Sequence, residues 1–189
     1  MTRSPLQARW RGAITFFYDG LGDGVGAGLA PEAKLAGPDA DAPAIYGSLL
    51  QALAKSRQVE YGELTFFGDT RYSPQGRAAR KTLDRAAERL FRNRLKMPVD
   101  VYEGPAMNHS YHEMIIGHGK CFSTILISDA SEQLANMGFT ADYHRAQFLA
   151  TLMALAQRQR SVVAIVLRDL EAGTLGALEE FFHQAAKHV

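Results

Sequence analysis

Five short runs rich in β-branched and aromatic residues, separated by longer stretches of helical spacing, constrain the fold of this chain more than any other feature. The runs are AITFFYD (13–19), ELTFFGD (63–69), VDVYEG (99–104), STILISD (123–129) and VVAIVLRD (162–169). Their short, near-continuous apolar character marks them as buried strands. Between them, AIYGSLLQALAKS sets Ile45, Leu49, Leu50 and Leu53 on one face. RAARKTLDRAAERLFRNRL sets Ala79, Leu83, Ala86, Ala87 and Leu90 opposite an arginine-rich face. DYHRAQFLATLMALAQRQ and TLGALEEFFHQAAKH complete the helices, with Asp142 and Thr174 as the expected N-caps. Strands alternating with helices are joined by right-handed crossovers and covered on both faces. The expected fold is therefore α/β, a doubly wound three-layer α/β/α sandwich around a five-stranded parallel sheet.

The 189 residues suit one domain, expected over 13–189 after a tail at 1–12. The stretch 20–43, GLGDGVGAGLAPEAKLAGPDADAP, is dense in Gly, Ala and Pro and is expected to be a flexible surface loop. A formal net charge of +1 gives no reason to expect nucleic acid or an anionic membrane as partner. A single cysteine makes no internal disulfide, and MTRSPLQARWRG has no apolar h-region. The longest aliphatic run, VVAIVL, is far too short to span a bilayer, so a cytoplasmic protein is the expectation.

Three segments could carry chemistry. In the glycine loop, Gly22, Gly24 and Ala27 have dinucleotide-fingerprint spacing, but Pro31, Gly37, Pro38 and Pro43 stand where a long helix would have to start. No cofactor is expected there. Asp19 and Asp23 are oxygen ligands of a kind that hold Mg²⁺ or Ca²⁺, yet two loop carboxylates are commonly just solvated. The third segment, NHSYHEMIIGHGKC (108–121), follows the third strand, at the end of a doubly wound sheet where ligands bind. There His109, His112 and Glu113 share a helical face. They are zinc-compatible, but their order is not that of the H-E-x-x-H metalloproteases. Acid/base chemistry by His109 at a helix start is the alternative, and a merely polar helix start is the bland one. Cys121 is expected to enter the fourth strand as a small buried hydrophobe.

From Glu63 to His188 the chain resembles the second sugar-isomerase (SIS) domain of the glucose-6-phosphate isomerases. The resemblance is carried by AMNHSYHEMIIGHGKCFSTILIS, by DYHRAQFLATLMALAQRQRSVVAIVLRDLEAG, and most specifically by the TLGAL helix with aromatics following. It implies a SIS/flavodoxin-like fold, a phosphorylated sugar or similar small molecule as ligand, and aldose–ketose isomerisation through an enediol. It also implies a homodimer with His109 near the interface. By this resemblance His109 matches the family histidine that assists ring opening. The family's catalytic glutamate has no counterpart in FRNRLKMP, and no serine- and threonine-rich phosphate segment or C-terminal lysine signature appears. The expected site accordingly combines His109, Glu113 and Glu103 as acid/base candidates with Asp69, Thr70, Arg71 and Asn108 as binding residues. Arg71 and the amides of the following helix start are the expected phosphate donors. A catalytically degenerate binding, regulatory or assembly module is the alternative, as is a metal-binding protein using His109, His112 and Glu113.

Overall fold

The structure, a computed structural model, describes residues 6–18, 41–104, 117–130 and 140–189. Over these described residues the chain is an α/β protein built on one mixed six-stranded sheet. Its strands are β1 (Gln7–Trp10), β2 (Ile14–Phe17), β3 (Tyr61–Phe67), β4 (Val99–Gly104), β5 (Cys121–Ser128) and β6 (Ser161–Leu167). Its described α-helices are α1 (Ala42–Lys55), α2 (Pro74–Ala87), α3 (Ala141–Gln157) and α4 (Ala172–Ala185). The spatial order is β1-β2-β6-β5-β3-β4.

All five expected strands form, yet the sheet is neither five-stranded nor wholly parallel. Only β4, β3, β5 and β6 run parallel; β2 lies antiparallel to β6, and β1 antiparallel to β2. The sixth strand arises inside the expected N-terminal tail. Arg11 and Gly12 both take positive φ, 49° and 64°, and Ala13 N–H donates to Trp10 O at 3.1 Å. That left-handed turn folds residues 7–10 back on 14–17 as a hairpin, a turn usually announced by Asn-Gly or Asp-Gly and here written Arg-Gly. Trp10 Nε1 then donates to Ala177 O of α4 at 3.2 Å, fastening the hairpin to the helix layer.

The parallel strands place the sheet's functional end. From β3 the chain moves outward to β4, then crosses back to lay β5 on the other side of β3 and β6 beyond it. The direction of travel reverses between β3 and β5, and a crevice opens beyond the carboxyl ends of strands at such a point.

Helices α1, α2 and α4 cover one face, where Tyr46, Leu50, Leu83, Leu90, Phe181 and Phe182 join Leu64, Phe66, Phe122 and Ile165 of the strands. Phe181 and Phe182 are thus core residues and contribute nothing to an outer surface. Helix α3 covers the opposite face with Phe148 and Leu155 against Phe67, Ile125 and Val162. Close approach needs glycine at two places: a Cβ on Gly47 would lie 2.2 Å from Ala185 O, and one on Gly62 2.2 Å from Phe91 Cε1. Phe91 belongs to a π-helical segment, Glu88–Leu95, that continues α2.

Helix starts differ from expectation. Thr140, not Asp142, caps α3, accepting from Tyr143 N–H at 3.1 Å. Glu171 holds the cap position of α4, which puts Thr174 inside the helix. Pro43, expected to stop a helix, sits in the first turn of α1, where its missing N–H costs nothing. No described helix is long and apolar enough to cross a membrane.

One carboxylate lies where an apolar residue would be expected. Glu63, in the middle of β3, is fully buried. It accepts from Thr65 Oγ1 at 2.5 Å, Ser123 Oγ at 3.2 Å and Cys121 Sγ at 3.9 Å. Burial outweighs these donors and pushes its pKa up to about 7, with Asp100 adding to the rise. Cys121 is the buried first residue of β5, as expected, and burial beside Glu63 pushes its thiol well above the usual value.

A raised carboxyl pKa means the folded state holds a proton that the unfolded state has released. Glu63 therefore contributes stability fully below pH about 4.5, and this is lost as pH rises through about 7. Glu63→Gln keeps the shape and removes the titration. Urea unfolding at pH 5 and pH 8 should show wild type losing about 3 kcal/mol more than the variant across that interval. Equal losses would place the proton elsewhere.

Candidate functional site

Two loops shape the rim beyond the strand ends, and each is organised by an aspartate two residues past its strand. After β3, Asp69 Oδ1 accepts from the N–H groups of Arg71 and Tyr72, both at 2.8 Å, and Oδ2 from Ser73 N–H at 2.6 Å. Burial pushes its pKa up, but the Ser73 hydroxyl and these amides outweigh it and hold the carboxyl below its usual range. Ser73 caps α2, accepting from Gly76 N–H at 2.9 Å. A Cβ on Gly76 would come 2.5 Å from Asp69 O, so the helix start packs directly on the loop. After β6, Asp169 accepts from Glu171 N–H at 3.0 Å and Arg168 Nε at 2.8 Å. The Thr174 hydroxyl first and Arg168 next hold its pKa low.

Between these loops, at the reversal point, lies a cleft of about 160 Å³. Phe66 and Leu170 give it apolar wall, Asp69, Asp169 and Glu171 give it acceptors, and Ser128 ends the neighbouring β5. Ser128 is only 1% exposed, and its hydroxyl has no hydrogen-bond partner among the described residues.

Of the expected site residues, Asp69, Thr70, Arg71 and Glu103 come together. Glu103 Oε2 accepts from Thr70 N–H at 2.8 Å and Thr70 Oγ1 at 2.5 Å, and stands 3.5 Å from Arg71 Nε. This clamp ties β4 to the β3–α2 loop and commits Glu103 to holding it. Of the amides expected to receive phosphate, Gly76 N–H at the helix start is already engaged by Ser73 Oγ, and the loop amides of Arg71, Tyr72 and Ser73 before it are engaged by Asp69. Asn108, His109, His112 and Glu113 lie outside the described residues, as do Asp19, Gly22, Asp23, Gly24 and Ala27. Among the described residues no group of three His, Cys, Asp or Glu side chains is arranged to hold a metal ion.

Three residues not singled out by the sequence belong here: Ser128, Asp169 and His144. His144 is 3% exposed near the start of α3. Burial lowers its pKa, while Glu103 and Asp69 pull the other way. A histidine on the buried row His144, Phe148, Leu155 of its helix was the signal available for it.

No protein-family model matches the chain, and no curated protein matches it. Among solved structures, the chain is similar to a hypothetical protein from Thermus thermophilus at 16% identity and a TM-score of 0.49. The match covers 78% of this chain and 44% of that one, so the chain spans under half the length of that protein.

Asp69→Ala should strand three loop amides and cost about 1–3 kcal/mol of stability in urea titrations. Added sulfate, able to enter the vacated place, should restore part of that loss in the variant and do little for wild type. Equal sulfate effects on both proteins would contradict the assignment of the amides to Asp69.

Proposed function

We propose that this chain binds a small hydroxyl-rich molecule, a phosphorylated sugar or similar polyol, in the cleft between the β3–α2 and β6–α4 loops, as a SIS-like doubly wound domain. The observation that carries the reading is the Ser128 hydroxyl, buried in that cleft without a partner among the described residues. A buried unmet hydroxyl costs about 1–3 kcal/mol, and a ligand that completes its hydrogen bond recovers it. Around it, carboxylates able to accept from sugar hydroxyls face Phe66 and Leu170, whose apolar surface suits the C–H face of a pyranose. The SIS reading is supported by the order of sequence segments and by the strand order β4-β3-β5-β6, which reverses where flavodoxin-like sheets reverse.

Binding without obligatory turnover is the favoured form of this reading. Enediol isomerisation needs a base in reach of the substrate carbon. Glu103, the described acid/base candidate, is committed to Thr70 and Arg71. Isomerisation would fall to His109 with Glu113, or to His144, and is the second reading.

We also propose that two copies pair through the outer face of α3, where Tyr143, Leu149 and Met153 are exposed beside Ala146 and Ala150. Asp142 stands at one end of this face and Arg158 at the other, so antiparallel copies set opposite charges together.

Ser128→Ala should separate function from fold. Calorimetric affinity for a hexose phosphate should fall about tenfold, while stability stays level or rises by about 1 kcal/mol because an unmet hydroxyl is gone. Unchanged affinity in a folded variant would defeat the cleft assignment, and a wild type that binds no sugar or sugar phosphate at millimolar concentration would defeat the whole reading. For assembly, light scattering should give twice the chain mass for wild type and a monomer for Met153→Glu; a wild-type monomer at high micromolar concentration rejects the pairing.

A further inference from the structure

We propose that Arg9 and Arg168 form an anion subsite on the opposite side of the same rim, built to take the phosphoryl group of a phosphomonoester whose hydroxyls occupy the Ser128 cleft. The phosphoryl assignment rests on the binding reading above; the anion site itself rests on its own geometry. A second cleft, of about 190 Å³, is lined by Arg9, Gly12, Thr15, Val166, Asp129 and Arg168, among others. The hairpin makes it. Register pairs Arg9 with Thr15 and Thr15 with Val166, so these three side chains stand in one row across β1, β2 and β6. Arg168 N–H donates to Ala13 O at 2.9 Å, locking the turn against the end of β6.

The two guanidiniums differ in a useful way. Arg168 is held in place, Nε on Asp169 Oδ2 at 2.8 Å and Nη2 on the Thr174 hydroxyl at 3.3 Å. Nη1 remains uncommitted among the described residues and is available to a ligand. Arg9 is exposed, and its guanidinium has no hydrogen bond or ion pair among the described residues. Asp129 is the one carboxylate lining this cleft among the described residues, and Arg145 Nη2 stands 3.8 Å from it. Counting Asp169 as well, three guanidiniums meet two carboxylates, which leaves the rim short of negative charge here. Planar guanidinium forks from β1 and from the residue following β6 suit the non-bridging oxygens of a phosphate better than one ammonium would.

The position also fits the neighbouring cleft. Ser128 and Asp129 are consecutive, as are Arg168 and Asp169, and in each pair one residue lines one cleft and its neighbour the other. The rim is acidic on the α2 and α4 side and basic on the α3 side. A molecule with hydroxyls at one end and a phosphoryl group at the other matches that polarity; a neutral sugar uses half of it.

Calorimetry with a hexose, the matching hexose phosphate and inorganic phosphate tests this on wild type, Arg9→Gln, Arg168→Gln and the surface control Lys81→Gln. Arg9 is exposed, so its variant should fold normally, which thermal melting checks. Expected is a hexose phosphate affinity above that of the hexose. Arg9→Gln should lose about five- to tenfold of it, as should binding of inorganic phosphate, with hexose binding and the control unchanged. The difference should shrink as salt rises from about 50 mM to about 500 mM. Hexose binding with no gain from the phosphoryl group overturns the subsite and leaves the Ser128 cleft standing. Inorganic phosphate bound equally by wild type and both arginine variants also overturns it. Phosphate binding that depends on Arg9 in a protein blind to hexose supports the anion site and removes the Ser128 reading instead.

Discussion

One hydroxyl-to-hydroxyl hydrogen bond sits at the centre of the larger core. Tyr46 on α1 reaches Thr124 on β5 at 2.8 Å, with both side chains buried. Its ring is enclosed by Phe16 of β2, Phe122 of β5, and Phe181 and Phe182 of α4, with centroids 5.5–5.8 Å away. Burial alone would make a phenol expensive here; Thr124 meets its polar end while four rings meet its apolar body. Four elements far apart in sequence are held by this one residue. Gly47, next along α1, then lets α1 and α4 come close enough for the cluster to close.

With that face filled, what is left over appears at the strand ends. Asp69 and Asp169 satisfy their own loops, so neither loop needs a ligand to hold its shape. Glu103 fastens the β3–α2 loop to the edge strand. These two loops are therefore held in shape by their own hydrogen bonds, a condition that lowers the ordering cost of association. Against this background of satisfied groups, the Ser128 hydroxyl and the Arg9 guanidinium stand out, each without a partner among the described residues.

Much of the architecture was legible because burial writes itself as period and composition. The runs ending in FFGD, LISD and VLRD read as strands, and β3 and β6 stop short of Asp69 and Asp169 because those aspartates organise the loops that follow. The hairpin was not legible, since Arg-Gly is a weak turn signal and strand direction leaves no trace in periodicity. Asp69, Thr70, Arg71 and Glu103 do lie together at the strand ends, and their contacts make three of them scaffold: Asp69, Thr70 and Glu103 hold the loop. Ser128 was invisible for a different reason. A serine ending an apolar strand is ordinary, and only an account of partners in three dimensions shows that its hydroxyl lacks one among the described residues. His144 could have been found, because it lies on the buried row of α3.

The antiparallel hairpin also orders events in time. Strand β2 pairs with β1 on one side and with β6, almost at the other end of the chain, on the other. During synthesis the hairpin emerges long before the strand it must join. Until residues 161–167 emerge, Phe16 has neither the sheet nor Phe181 to cover it. A two-stranded hairpin is marginal alone in water, and pairing across so long a loop closes slowly. The basic half of the rim, which the hairpin builds, is thus completed only when the whole sheet is, so an incomplete chain carries the aspartate-capped loop without its arginine counterpart.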